Sequence, residues 1–158
     1  MTEASFPSAA FPDFPAVTIE HPAEWSARPV PGALLAVIDE RDAATFSPNV
    51  IVGVTRVGAD HTLADEVAAV ADYVTRLPEV ATVDNAPVDF GGRTWGVAEF
   101  AYRAEGAGSV VQVIAVTVVP TGEAADVVRI TGTASADDYE TSLPVIRGIV
   151  ASARVTAR

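Results

Sequence analysis

Residues 80–135 constrain the fold more than any other stretch. Four apolar segments there are separated by Gly91-Gly92, by Gly106 and Gly108, and by Pro120-Thr121-Gly122. Each separator is a tight-turn signal, because glycine takes positive φ at little cost and proline pre-sets φ. Segments joined by such short turns form an antiparallel meander, since parallel neighbours need long crossovers. A two-residue loop at Gly91-Gly92 pairs Val88 with Trp95, Ala86 with Val97 and Val83 with Phe100. Apolar pairs then fall on both faces. Val110 to Val119 is interrupted only by polar Gln112 and Thr117, which suits an interior strand covered on both sides. Val127 to Thr133 completes the meander.

The remaining segments supply that cover. Val17 to Glu20, Ala33 to Ile38 and Asn49 to Val57 read as further strands, the last with Val50, Val52 and Val54 on one face. His21-Pro22, then Pro29, Pro31 and Gly32, punctuate them. Thr62 is a helix N-cap with Asp65 three residues on, and Leu63, Val67, Val70, Val74 and Leu77 form one apolar stripe ending before Pro78. A second helix begins near Asp137, with Tyr139, Leu143, Ile146, Val150 and Ala153 as its buried stripe. Pro144 lies within it, and should kink the helix or delay its start, because its missing N–H leaves the Glu140 carbonyl unbonded. The fold class is α+β, an antiparallel sheet of about six or seven strands with helices packed against it. Residues 14–158 read as a single domain of uniform composition.

Residues 1–13 stand apart as an extended or disordered arm. Phe6-Pro7 and Phe11-Pro12, with Phe14-Pro15 just beyond, bias the backbone away from helix and central strand. Phe6 and Phe11 are candidate partner-binding residues: proline limits the entropy lost on ordering, and each ring is a large apolar anchor. Phe14 is close enough to the first strand to belong to the core.

Charge narrows the possible partners. All ten basic residues are arginine, against 21 acidic residues, for a net charge of −11. That argues against nonspecific nucleic-acid binding, which needs cations to replace counterions, and against docking on anionic lipid. No segment approaches the roughly 18 apolar residues of a membrane helix, so no membrane insertion is expected. The opening Met1-Thr2-Glu3-Ala4-Ser5-Phe6 lacks the pattern of a secretory signal, which implies a cytoplasmic chain as written; envelope attachment would require a removed leader. With no cysteine there is no disulfide, thiol nucleophile or lipid-accepting thiol.

No catalytic, cofactor-binding or metal-binding constellation stands out. The two histidines, His21 and His61, have no ligand-like spacing and read as surface or structural groups. Gly-x-Ser-x-Gly, Gly-x-Gly-x-x-Gly and phosphate-loop patterns do not occur. Acidic pairs such as Asp65-Glu66 and Asp137-Asp138 sit at helix starts, where the dipole favours them. More informative are polar residues inside apolar strands: Arg56, Glu99, Gln112 and Arg129. Sharing one sheet face, they would line a pocket; otherwise they are strand ends, solvated edges or ion-paired. Trp25 and Trp95 read as core anchors.

The order of motifs is familiar. Phe14-Pro15 and a strand lead into His21-Pro22-Ala23-Glu24-Trp25, then Phe46-Ser47-Pro48-Asn49-Val50, one helix, a meander carrying Val111-Gln112, and a helix after Tyr139. Over roughly residues 14–155 this resembles the PsbP/Mog-like superfamily, most closely its actinobacterial LpqN/LpqT type. The resemblance implies a non-catalytic accessory or protein-interaction module without cofactors, whose partner is another protein or a second copy of itself. A small-ligand carrier with a pocket on the sheet face is the alternative reading, and an undetected enzyme the second. A deep, partly polar pocket would favour the carrier, and a flat apolar patch the interaction module.

Overall fold

The computed structural model describes residues 1–41 and 46–158. In chain order it contains β1 (Ala16–Thr18), β2 (Ser26–Ala27), β3 (Leu35–Ile38), β4 (Asn49–Gly58), α1 (Leu63–Thr75), β5 (Ala81–Phe90), β6 (Arg93–Ala104), β7 (Gly108–Thr121), β8 (Ala124–Ser135), α2 (Tyr139–Ala151) and β9 (Arg154–Thr156). Seven strands form one sheet in the order β2-β3-β4-β8-β7-β6-β5, and every neighbouring pair is antiparallel. The meander runs from β5 to β8 as the turn signals require. It closes onto the N-terminal strands by pairing β8 with β4, because α1 carries the chain across the sheet to the far edge. β1 and β9 make a separate two-stranded ribbon.

The hairpin register agrees with the Gly91-Gly92 loop: Val88 pairs with Trp95 and Ala86 with Val97. Val83 does not pair with Phe100. The register shifts between Ala81 and Asp84, where β5 carries one residue more than β6. A bulge of this kind bends an edge strand and breaks the alternation. Phe100 is consequently buried under α1 while Val83 is exposed.

Each face of the sheet has its own core, and β7 serves both. Val113 and Ala115 point into the α2 side with Val50, Val52, Val128 and Ile130, against Leu143, Ile146 and Ile149 of α2. Ile114 and Val116 point the other way with Ala98 and Phe100, against Val70 and Val74 of α1. This alternation explains why β7 is apolar at nearly every position. Trp25 and Trp95 are buried in the α2-side core. Phe90 and Trp95 stack at 4.7 Å, and the indole Nε1 donates to the Phe90 carbonyl at 3.2 Å.

Both helix stripes need correction at one position. The Thr62–Asp65 capping box forms, with the Thr62 N–H donating to Asp65 at 2.8 Å. That bond and the hydroxyl's hold the Asp65 carboxyl below the ordinary carboxylate range. The capping contribution is therefore complete above that range and is lost as pH falls through the lowered folded-state value. In α1, however, Glu66 is buried and Val67 is 39% exposed, because α1 lies over β6–β7 with one flank unsupported. In α2, Tyr139 is exposed because it begins the helix beyond the last residue of β8. Pro144 lies within α2 with its ring at the exposed surface.

Gly132 on β8 marks where α2 approaches most closely. A Cβ there would collide with the Ile146 side chain. Gly132→Ala should therefore destabilise the protein by about 1–3 kcal/mol through overpacking. Urea denaturation is the check, and an unchanged midpoint would contradict this packing.

Candidate functional site

The four polar strand residues separate by face. Arg56 and Glu99 lie on the α2 side, and Gln112 and Arg129 on the α1 side. They form no common pocket, and each has a partner. Arg56 donates to both carboxylate oxygens of buried Asp126, at 2.8 and 2.9 Å. Glu99 accepts from Arg147 of α2, with Nε at 2.9 Å, and this bond raises the Arg147 pKa. Gln112 donates to Thr133 at 3.0 Å. Tyr102, beside Gln112, has its phenol pKa raised chiefly by burial. Arg129 donates to Glu66 of α1 at 2.8 Å.

Glu66 joins the second charged cluster. Its other oxygen lies 3.0 Å from His61 Nε2, so His61 is not simply a solvated loop residue. Thr55, Thr131 and the bare Gly53 position extend this cluster into a cleft of about 380 Å³ over β4 and β8. Both Glu66 oxygens are engaged, one by the Arg129 guanidinium and one by the His61 ring, so the carboxylate is not free to act as a base. Among the described residues no group of three His, Asp or Glu side chains is placed to hold a metal ion.

On the opposite flank of α1 lies an apolar groove of about 400 Å³ that sequence reasoning missed. Leu63, Ala64, Val67 and Val70 form its helical wall; Pro87 of β5, Gly96 of β6 and Val116 of β7 lie across from them. No lining side chain is charged. Gly96 makes the groove possible, since a Cβ there would collide with Val67. A glycine inside a strand is the one sequence signal of such a close approach. β5 is an exposed sheet edge, and Pro87 withholds an N–H from any strand that would pair there.

Residues 1–15 contain no helix or strand, and their last part is clamped. Arg56 Nη1 donates to the Pro12 carbonyl at 2.7 Å, and its guanidinium sits 4.8 Å over the Phe14 ring. Asp13 pairs with Arg158 at 3.4 Å. Beyond the clamp, Phe6 and Phe11 are 58% and 51% exposed. Phe6 leans on Phe14 at 6.2 Å, and Ser8 and Phe11 bond to each other in a tight turn.

A twisted antiparallel sheet with one helix on each face is the architecture of the PsbP/Mog-like proteins, and solved structures agree. The chain is similar to LpqN of Mycobacterium tuberculosis, described as involved in cell envelope biogenesis, with 16% identity and a TM-score of 0.76 over 90% of this chain and 84% of that one. It is also similar to the cyanobacterial PsbP of Synechocystis, with 13% identity and a TM-score of 0.57 over 98% of both chains. A protein of unknown function from Pseudomonas aeruginosa aligns at 14% identity and a TM-score of 0.55, over 89% of this chain and 96% of that one. Residues 7–156 match the family described as probable lipoprotein LpqN, and the chain belongs to that family. No curated protein matches the chain. Neither LpqN nor PsbP is described as an enzyme. Among the described residues, no helix is long and apolar enough to cross a membrane.

Proposed function

We propose that this protein is a non-catalytic accessory module of the cell envelope that works by holding a protein partner in the groove beside α1. The observation that carries the reading is the groove itself: an apolar concavity of about 400 Å³ with no ionisable side chain in its lining. Reaction chemistry needs positioned acids, bases or nucleophiles. The polar residues Arg56, Glu99, Gln112 and Arg129 are instead engaged with other side chains of the same chain. Membership of a lipoprotein family, and the envelope role given for LpqN, favour the envelope over the cytoplasmic placement that the opening residues imply. Phe6 and Phe11 offer a second, separate apolar surface on the arm.

The test is capture from the native host with wild-type protein and the Ala64→Glu variant. Ala64 is exposed in the first turn of α1, where glutamate suits the helix, so the variant should fold normally while placing a charge in the groove. The wild type should retain a protein that the variant loses. The carrier reading rests on the same apolar lining, and a stoichiometric small molecule in native mass spectra would establish it instead. Deleting residues 1–11 stops short of the Pro12 carbonyl that Arg56 holds. It should move the melting temperature by less than about 2 °C, and a larger fall would make the arm structural.

A further inference from the structure

The groove and the arm are complementary surfaces on one chain. An apolar cavity of about 150 Å³ accommodates a benzene ring, so the groove, at about 400 Å³, has room for two phenyl side chains. The arm offers two rings, Phe6 and Phe11, each more than half exposed. Phe11 closes the Ser8–Phe11 turn, and Phe6 lies two residues before that turn, so both rings sit on one short knob at the end of the arm. Val67, 39% exposed on the helical wall, presents apolar surface to the groove.

Charge points to the same pairing. Two copies carrying −11 each repel, and any contact between them must avoid placing carboxylates against carboxylates. Residues 4–12 contain no charged side chain, and neither does the groove lining. The knob and the groove can therefore meet without like-charge contact. Within one molecule they face apart: Arg56 clamps the arm on the α2 side of the sheet, and the groove opens on the α1 side.

We propose that the arm of one copy docks Phe6 and Phe11 into the α1–β5 groove of another, so that this protein self-associates by arm-to-groove contact. This rests on the groove being a binding surface and names its occupant. The contact is small, so association is weak and read over about 10 μM to 1 mM. It is also apolar, so added salt, which screens the net repulsion, should not weaken it.

Sedimentation equilibrium of the full chain provides the test. Wild-type mass should rise above one chain across that range, at low and at high salt. The Phe6→Ser/Phe11→Ser double variant lacks the knob and Ala64→Glu lacks a receptive groove, so each alone should stay monomeric. Mixed in equal amounts they should regain a dimer and nothing larger, because one intact arm can then fill one intact groove. A wild type that stays monomeric, a double variant that still associates, or a mixture that does not would each overturn the proposal. A monomeric wild type that nevertheless captures a host protein lost on Ala64→Glu would overturn self-docking while leaving the binding-module reading standing.

Discussion

Trp95→Ala is expected to cost about 3–5 kcal/mol of folding free energy, the largest effect of any single truncation considered. The indole is 1% exposed. It stacks on Phe90 at an interplanar angle of 9° and satisfies its own N–H on the Phe90 carbonyl. Truncation removes the transfer energy of a large aromatic and leaves a cavity where β5, β6 and the α2-side core meet. The β5–β6 hairpin depends on this anchor, since β5 is an edge strand with most of its residues exposed. Equilibrium unfolding in urea checks the value. A loss below about 1 kcal/mol, the range of surface substitutions, would contradict the packing.

Asp126→Ala is the second large effect, expected at about 2–3 kcal/mol. Asp126 is 1% exposed and accepts two bonds from Arg56. Removing one partner of a buried pair costs about 3–5 kcal/mol because the other charge is stranded. The Arg56 side chain is 26% exposed and regains some hydration, which lowers the figure. Replacing both residues with apolar groups of similar size, Arg56→Met with Asp126→Leu, should restore much of the loss, since no stranded charge remains. The double variant has a second readout. Without the guanidinium that holds Pro12 and Phe14, residues 1–13 should be cleaved by limited proteolysis sooner than in wild type. If single and double variants are equally unstable, the pair contributes through packing and not through charge.

Much of the fold was legible because its signals are local. The Gly91-Gly92 register, the Thr62 cap and the alternation along β4 are set by neighbours in sequence, and they lead directly to the meander and to α1. The family resemblance rested on the same pattern, and the match over residues 7–156 agrees with it. The misses share a different cause. Val67, Tyr139 and Val83 have the right periodicity, but their burial depends on what lies opposite: Val67 faces the bare Gly96 position, Tyr139 starts its helix beyond the end of β8, and Val83 sits on the edge strand. β2 and β9 are too short to carry a pattern and exist because β3 and β1 offer partners. The groove was invisible for the same reason, being a gap between α1 and β5–β6 and not a motif. Only Gly96 hinted at it. The polar residues stand out in the sequence, yet parity along each strand divides them two and two between the faces.

The β1–β9 ribbon has a mechanical consequence. Ala16 pairs with Thr156 and Thr18 with Arg154, so the two flanking chain segments leave the ribbon at the same end. A pull applied between residues 16 and 156 therefore peels the ladder one rung at a time instead of shearing three rungs at once. The ribbon should open at low force, while the seven-stranded sheet stays folded behind it.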